Sequence, residues 1–277
     1  MKIGEGVLAC SVRGCGRALV LGEREARCGA GHAFDRARSG YWNLLQPQDR
    51  RSLAAGDERE AVEARARSHA RGLGGALLTR LSELIAALAP VGDGTVLELG
   101  SGSGDVLARL QAACPAPAIG LDLSAAAAEH AARRFPACTW VVANADRRLP
   151  IRDASIALVA SIHGRRNPAE CARVLALGGH ALFAVPAADD LRELREALHG
   201  EPHAESRLPA LLHELAPHLE PIEHGHVGTT HTLDRRALDD LLRGTYRGQR
   251  FASRARIDEI EALEVTLASD WVLCACR

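Results

Sequence analysis

Four side chains near the start of the chain have the types and spacing of a metal site: Cys10, Cys15, Cys28 and His32. Thiolate and imidazole groups suit Zn²⁺, and the C-x4-C and C-x3-H pairs fall within the spacings of structural zinc sites. Glycines flank or separate the members of each pair, as tight metal-binding turns require. Four protein ligands leave no open position for a substrate, so we predict a structural zinc. A chance grouping of unrelated residues is the alternative.

A second set of residues follows an apolar run of strand type. Glu98 opens the pattern E-x-G-x-G-x-G, which runs into helix-like sequence. Alternate glycines let the backbone approach a ligand closely, and the following helix points free N–H groups at it. The spacing differs from the G-x-G-x-x-G of dinucleotide-binding proteins and resembles motif I of class I S-adenosylmethionine-dependent methyltransferases. The predicted cofactor-binding residues of this stretch are Glu98, Gly100, Ser101, Gly102, Gly104, Asp105 and Val106.

Two acidic residues extend this candidate cofactor site. Asp122 ends the next predicted strand about 20 positions after the glycines, where a carboxylate accepts hydrogen bonds from ribose hydroxyls. Leu123 follows it and is included in the predicted site. Asp146 follows the third predicted strand, and the resemblance to class I methyltransferases implies that it binds the adenine amino group. Together these residues favour S-adenosylmethionine as the cofactor.

The residues that follow the predicted zinc site resemble a particular family. Residues 32–45 match the H-x-F-D-x-A-x-x-G-Y-x-N-L-L signature of bacterial 23S rRNA (guanine-N1) methyltransferases, which include macrolide-resistance enzymes. In that family a zinc module precedes a class I methyltransferase domain. The resemblance implies S-adenosylmethionine and zinc as cofactors, and 23S rRNA or a precursor of the large ribosomal subunit as the partner.

The sequence departs from the family pattern at several places. The first cysteine pair is C-x4-C, where the family has C-x2-C. Gly74 stands where the family has a cofactor-contacting tyrosine, and Asp190 stands where it has a cofactor-contacting side chain that is often histidine. Asp190 is therefore included in the predicted cofactor site. Thr245–Gln249 replaces a T-P-x-x-W string.

The loop after the fourth predicted strand should face the transferred methyl group. The family has aromatic-Ala-Pro where this chain has His163-Gly164-Arg165. A guanine N1 carries a proton that must be removed, and His163 is the candidate acceptor. The alternative is an exposed loop histidine without a chemical role. Arg165 and Arg166 would meet RNA phosphate or be solvated.

The elements that must position these residues alternate between strand and helix from residue 93 onwards. The sequence predicts an α/β fold: a class I methyltransferase Rossmann-like, doubly wound sheet with a small N-terminal zinc-binding module. The predicted division is a zinc-binding, RNA-recognition module over residues 1–57, connecting helices over 58–92, and the methyltransferase domain over 93–277. A closing pair of strands, Ala262–Ala268 and Trp271–Cys276, is predicted at the sheet edge.

Composition and charge narrow the function classes. The 277 residues contain 47% hydrophobic side chains, but no run approaches the roughly 20 apolar residues of a membrane span and no signal-peptide core is present. We therefore expect a cytoplasmic protein without membrane association. In such a compartment the remaining cysteines should be small core side chains rather than disulfides: Cys114, Cys138, Cys171, Cys274 and Cys276.

The net charge of −1 excludes a strongly basic nucleic-acid-binding protein. Residues 1–80 nevertheless carry 14 basic and 9 acidic side chains, which would allow this part to rest on phosphate. Tyr41 and Trp42 are interpreted as packing residues, with RNA stacking as the alternative. The arginines interpreted as RNA contacts are Arg36, Arg38, Arg50 and Arg51.

The sequence therefore predicts an S-adenosylmethionine-dependent methyltransferase that modifies guanine N1 of 23S rRNA. A paralogous methyltransferase acting on another RNA site or on a small molecule is the alternative, because the changed loops fall where the substrate should bind. A catalytically inactive, zinc-containing RNA-binding protein is a further alternative. A homodimer is compatible with the sequence, as is the resistance function of some family members.

Overall fold

The computed structural model describes residues 6–49, 56–88, 94–200, 204–244 and 260–276. Arg50, Arg51 and Thr245–Gln249 lie outside these residues. The strands are, in chain order, β1 Leu19–Leu21, β2 Glu25–Cys28, β3 Ala33–Asp35, β4 Trp42–Asn43, β5 Thr95–Leu99, β6 Ala118–Asp122, β7 Thr139–Val142, β8 Ile156–Ile162, β9 Leu175–Pro186, β10 Leu219–Asp234 and β11 Ala262–Cys276. The α-helices are α1 Arg59–Ala70, α2 Gly75–Ala87, α3 Asp105–Ala113, α4 Ala125–Arg134, α5 Pro168–Val174, α6 Arg192–His199, α7 Leu208–Leu215 and α8 Arg235–Gly244.

Eight strands form the central sheet in the order β10-β11-β9-β8-β5-β6-β7-β4. Strands β4 to β9 run parallel within it, and β11 joins antiparallel between β9 and β10. The order reverses at β5, so the loop that follows this strand opens at a switch point, where open α/β sheets bind ligands. The predicted doubly wound α/β fold is confirmed.

Helices cover this sheet on both faces. Helices α2, α3 and α4 bury leucines and alanines against one face. On the other face α5 and α7 pack beside the N-terminal segment that carries the predicted zinc ligands. A third apolar cluster joins α6 and α8 to the end of the β10–β11 pair that extends past β9. Among the described helices none combines the length and apolar composition needed to cross a bilayer.

The N-terminal segment is built into the main sheet. Strand β4 pairs in parallel with β7, with Trp42 opposite Val141. Residues 143–155, between β7 and β8, form no helix, and the N-terminal segment covers that part of the sheet face instead. Trp42 is 4% exposed and Tyr41 is half-buried, so both aromatic side chains pack as interpreted from the sequence. The predicted module over residues 1–57 thus shares its last strand with the sheet.

The predicted closing pair of strands is wrong. Ala262–Cys276 is one continuous strand, and the residues between the two predicted strands, Ser269 and Asp270, lie within the ladder opposite Pro186 and Val185 of β9. Both side chains are buried and hydrogen-bonded, Ser269 to His163 and Asp270 to His226. Buried polar groups with such partners do not interrupt a strand.

Ser124 has two bonds that join α4 to the segment before α1. Its Oγ accepts the Ala127 N–H at 3.1 Å as the N-cap of α4 and donates to the Asp57 carbonyl at 2.6 Å. Ser124→Ala should lower the free energy of unfolding by about 1–2 kcal/mol, since the cap is lost and a carbonyl loses its donor. Urea titration measures this loss. Ser124→Thr keeps the hydroxyl and should retain most of the stability, whereas equal losses in both variants would contradict the assignment.

Candidate zinc centre and cofactor site

The four predicted zinc ligands come together. Their ligand atoms all lie within 4.8 Å of one another. Sγ of Cys10 and Sγ of Cys28 each lie 3.5 Å from His32 Nδ1, and Sγ of Cys15 lies 3.9 Å from Sγ of Cys28. The edges of a tetrahedron around Zn²⁺ measure roughly 3.8 Å between sulfurs and 3.5 Å between sulfur and nitrogen, given the usual bond lengths. This Cys3His set fits a structural zinc.

Two turns present these ligands. The Cys15 N–H donates to the Val12 carbonyl at 2.9 Å in the first turn, and the Gly31 N–H donates to the Cys28 carbonyl at 2.9 Å in the second. Burial opposes ionisation of Cys28, but hydrogen bonds from the backbone of Ala30 and His32 lower its pKa to about 6. The C-x4-C loop, which has two more residues than the family's C-x2-C, still brings Cys10 and Cys15 into the ligand cluster.

The glycine-rich loop follows β5 at the switch point of the sheet. Gly102 has a φ of 52°, which a side chain would strain, and its N–H donates to Asp122 Oδ2 at 2.8 Å. The other oxygen, Asp122 Oδ1, accepts the Ser124 N–H at 2.8 Å. A Cβ on Gly100 would lie 3.2 Å from Gly164 Cα. The structure thus joins the loop to the end of β6 and to the predicted methyl-facing loop.

Glu98 lies beneath this loop with one oxygen unsatisfied. The residue is 2% exposed, and its Oε2 is buried without a hydrogen-bond partner among the described residues. Burial raises the pKa of Glu98 well above its ordinary value, and the charges of Asp122 and Asp105 raise it further. The glycine-rich loop leaves its backbone accessible, Glu98 Oε2 lacks a donor, and the surrounding side chains are acidic. These features fit a cofactor with hydroxyl donors and positive charge. S-adenosylmethionine, with a ribose, a sulfonium and an ammonium group, meets that description.

The raised pKa of Glu98 predicts a pH-dependent stability. In the folded, cofactor-free protein Glu98 keeps a proton that it releases above pH 4.5 in the unfolded chain. The free energy of unfolding therefore falls as the pH rises from 4.5 towards the raised pKa of Glu98. Glutamine carries no charge, so Glu98→Gln should not lose this stability. Its free energy of unfolding relative to that of the wild type should therefore be higher at about pH 8 than at pH 5, as urea titrations at the two pH values would measure.

Glu193 provides a matched control for this prediction. Burial opposes its ionisation, but hydrogen bonds from the Thr266 backbone and hydroxyl lower its pKa to about 2. Its stabilisation is therefore complete above pH 4.5 and lost only on further acidification. Glu193→Gln should lower stability by the same amount at pH 5 and 8. A Glu98→Gln curve parallel to the wild type would contradict the prediction.

Asp146 lies in the loop after β7, and Arg165 holds it. The guanidinium donates from Nε to Oδ1 at 3.0 Å and from Nη2 to Oδ2 at 2.5 Å. Arg166 pairs with Glu214 on α7 at 2.6 Å. Both arginines, expected at RNA phosphate or in solvent, therefore have carboxylate partners within the chain. The pair joins the predicted adenine end of the site to the methyl-facing loop.

The remaining predicted cofactor residues have varied surroundings. Asp190 is buried, and its Oδ1 accepts the Ala268 N–H at 3.0 Å, which fixes β11. Asp105 pairs with Arg134 at 3.2 Å at the start of α3. Ser101 is buried, and its N–H donates to the Leu121 carbonyl at 3.1 Å, whereas Val106 and Leu123 are half-buried. Gly104 has no room for a side chain, because a Cβ would lie 2.7 Å from Trp140.

His163 is exposed on the loop after β8, in a left-handed backbone conformation with a φ of 55°. Its N–H donates to the Ala184 carbonyl at 2.9 Å, and its Nε2 lies 2.9 Å from Ser269 Oγ. Left-handed backbone is uncommon outside glycine and often marks functional loops. The backbone bond thus holds the loop and the Ser269 bond holds the imidazole, beside Gly164, which packs against Gly100 of the glycine-rich loop.

Sequence reasoning missed Arg65 and Asp57, which lie beside the glycine-rich loop. A Cβ on Gly102 would lie 2.7 Å from Arg65 Nη1, and Arg65 Nη2 donates to Asp57 Oδ2 at 2.6 Å. Helix α1 is rich in Glu, Ala and Arg, with a narrow apolar face, so nothing in its pattern distinguishes Arg65 from neighbouring surface arginines. Only the three-dimensional packing of α1 over the loop identifies it.

The sequence also matches known protein families. A family model described as a methyltransferase domain matches residues 96–179, and one described as RlmA, N-terminal, a zinc ribbon, matches residues 9–53. The chain is 34% identical to the 23S rRNA (guanine(748)-N(1))-methyltransferase of Streptomyces fradiae, with 94% of each chain covered. It is 32% identical to a candidate 23S rRNA (guanine-N(1)-)-methyltransferase of Bacillus subtilis, which covers 83% of this chain and 80% of the relative.

Solved structures resemble the fold. A candidate methyltransferase of Haloferax volcanii, in complex with the Trm112 methyltransferase activator, superposes with a TM-score of 0.53 at 18% identity, covering 80% of this chain and 99% of that one. A candidate methyltransferase of Bacillus halodurans gives 0.50 at 17% identity, covering 72% and 97%. At this identity the superpositions show the class I fold alone. Because the chain is 34% identical to the Streptomyces relative over 94% of both chains, it belongs to the 23S rRNA (guanine-N1) methyltransferase family.

Proposed function

We propose that this protein transfers the methyl group of S-adenosylmethionine to N1 of a guanine in 23S rRNA. The observation that carries the proposal is the 34% identity to the Streptomyces fradiae enzyme over 94% of both chains, zinc ribbon included. A small-molecule methyltransferase would not require a basic N-terminal module built into the cofactor sheet.

A cleft beside the predicted adenine end supports an RNA substrate. Its volume is about 690 Å³, and the zinc-binding turn and the loop after β7 line it. Arg13 and Arg147 are exposed there, and their side chains have no partner among the described residues. Arg148 also lines the cleft, with a 3.4 Å pair to Asp153. Arginines with free donors in a shallow groove suit a phosphate backbone.

S-adenosylmethionine, when bound, supplies an electrophilic methyl group on its sulfonium. Asp122 would hold the ribose, Glu98 would face the positive end of the cofactor, and Asp146 would accept from the adenine amino group. His163, fixed through Ser269, would accept the N1 proton as the guanine is methylated. The target base must leave its stack to reach this loop. The protein's contribution is alignment and proton removal.

Three further expectations accompany this proposal. The chain is divided at residues 57 and 92 into a zinc-binding module, connecting helices and a methyltransferase domain, with β4 shared between module and sheet. The protein acts in the cytoplasm, where its rRNA substrate is found. A homodimer stays a prediction, which light scattering of the zinc-loaded protein would test.

The decisive test is to map the methylated nucleotide. The zinc-loaded protein is incubated with labelled S-adenosylmethionine and unmodified 23S rRNA, and the product is analysed by primer extension and nucleoside mass spectrometry. A methyl group on N1 blocks base pairing, so reverse transcription should stop at one guanine. Label in a different RNA position would favour the paralogue, and cofactor binding without label in any RNA would overturn the proposal.

His163→Ala distinguishes the proton acceptor from a bystander in the same assay. We expect a loss of turnover of about 100-fold, as for removal of a general base, with cofactor affinity retained. Turnover of this variant within about twofold of the wild type would exclude His163.

A further inference from the structure

We propose that Arg65 binds the carboxylate of the amino-acid end of S-adenosylmethionine. This inference rests on the cofactor assigned above, and it adds a binding residue that no motif in the chain indicates. It concerns the ligand alone, so it is tested without RNA.

The guanidinium of Arg65 is held in place on two sides. Its Nε donates to the Gly244 carbonyl at the end of α8, at 3.0 Å. Its Nη2 donates to Asp57 Oδ2 at 2.6 Å, and the Asp57 carbonyl in turn accepts the Ser124 hydroxyl at 2.6 Å. Both fixed contacts come from segments outside α1. Arg65 is therefore oriented before any ligand arrives, which lowers the entropy cost of binding.

The third nitrogen of the guanidinium faces the glycine-rich loop. A Cβ on Gly102 would lie 2.7 Å from Arg65 Nη1 and 3.6 Å from its Cζ. Nη1 makes no hydrogen bond to any described residue, although its two N–H groups are donors. The side chain is 26% exposed, so these donors remain accessible beside the loop. An acceptor on a ligand lying along this loop would complete the arginine's hydrogen bonding.

Charge decides which acceptor fits. Besides burial, the charges of Asp122 and Asp105 raise the pKa of Glu98, and the charge of Asp57 likewise raises that of Asp122, so three other carboxylates lie close to this loop. These carboxylates favour the sulfonium and ammonium groups of the cofactor but repel its own carboxylate. Burial raises the pKa of Asp122, and the positive charge of Arg65 opposes that rise. A guanidinium at this position offsets the repulsion and gives the ligand carboxylate a charge-assisted bond.

The experiment compares two ligands that differ only in the carboxyl group. Calorimetry measures the Kd of S-adenosylhomocysteine and of its decarboxylated analogue, for wild type and for Arg65→Met. We expect Arg65→Met to weaken S-adenosylhomocysteine at least tenfold and to change the analogue less than threefold. Arg65→Lys keeps the positive charge but loses the paired N–H donors of the guanidinium. Its ratio of the two Kd values should therefore lie between that of the wild type and that of Arg65→Met.

Arg67→Met is the matched control. Arg67 lies two residues further along α1 and pairs with the buried Asp240 of α8 at 2.8 Å. Any stability that this variant loses should affect both ligands equally. If Arg65→Met also affects both ligands equally, or neither, the carboxylate assignment is overturned and Arg65 is a packing residue.

The outcomes also separate the two proposals. A wild-type protein that binds neither ligand overturns the cofactor assignment and this inference with it. A protein that binds both ligands with the expected ratio but methylates no 23S rRNA upholds Arg65 and overturns the proposed substrate. If Arg65→Met fails to fold, the comparison of Arg65→Lys with the wild type decides, because equal ligand ratios in those two proteins would overturn the assignment.

Discussion

Removing the zinc, by a chelator or by Cys28→Ser, should abolish cofactor binding as well as the structure of the N-terminal segment. The segment contacts the loop that carries Asp146: Ala9 N–H donates to the Pro150 carbonyl at 2.9 Å, and Arg152 N–H donates to the Val7 carbonyl at 3.0 Å. Without a folded segment, one face of β6 and β7 loses its cover. The adenine end of the site would then lose its support.

Magnitudes support this expectation. Structural zinc sites in small domains contribute about 10–16 kcal/mol of apparent folding free energy, and a whole domain has a net stability of about 5–15 kcal/mol. Residues 6–49 bury too few side chains to offset the chain entropy without metal. Because β4 is a strand of the main sheet, the loss should spread beyond the segment. Loss of most of the cooperative stability is the expected result.

Calorimetry and thermal unfolding, with and without chelator, measure both consequences. Cys114→Ser is the control, because Cys114 is a half-buried thiol at the end of α3 and outside the zinc set. That variant should keep its zinc, its melting transition and its affinity for S-adenosylhomocysteine. A chelated wild-type protein that still melts cooperatively and binds the ligand would show that the sheet is independent of the zinc ribbon.

Local sequence signals predicted the elements that position the cofactor. Strand β5, Thr95–Leu99, lies directly before the glycines and helix α3, Asp105–Ala113, begins directly after them, as the apolar run and the helix-like sequence predict. Ser124 caps α4 as its residue type indicates. The zinc ligands were predictable too, since their types and spacing lie within one short segment. In each case the physical cause acts over a few neighbouring residues.

Features that depend on distant parts of the chain were not predictable in this way. The two residues of β4 carry no strand pattern, and their pairing with β7 spans almost a hundred residues. The continuity of β11 through Ser269 and Asp270 depends on their hydrogen-bond partners, His163 and His226, which lie on other elements. Arg65 is in a helix of similar arginines. Its position depends on how α1 packs against α8, where Arg67 and Arg71 pair with the buried Asp240.

Replacing Asp122 with alanine should raise the Kd for S-adenosylhomocysteine by about 100-fold. Each oxygen of this carboxylate accepts one backbone N–H, from Gly102 or from Ser124, both at 2.8 Å. Each oxygen keeps a second lone pair, so the same group can accept two ribose hydroxyls without releasing the backbone. Hydrogen bonds to charged groups contribute about 1.5–3 kcal/mol each, and the loss of two gives about 3 kcal/mol or more, a factor near 100.

Asp122→Ala also removes the acceptor of the Gly102 N–H, so the glycine-rich loop loses a hydrogen bond that holds it. Asp122→Asn should bind S-adenosylhomocysteine nearly as weakly as Asp122→Ala. Its amide NH2 would face one of the two backbone N–H donors, from which it cannot accept a hydrogen bond. Asp153→Asn, at an exposed carboxylate paired with Arg173, is the control and should stay within twofold of the wild type.

The pattern across ligands separates this role from that of Arg65. Both S-adenosylhomocysteine and its decarboxylated analogue carry the ribose, so Asp122→Ala should weaken both by the same factor, whereas Arg65→Met discriminates between them. If Asp122→Ala spared either ligand, the carboxylate would be a loop-fixing group alone. The ribose would then have to find its acceptors elsewhere at this edge, with Glu98 the first candidate because its buried Oε2 has no partner among the described residues.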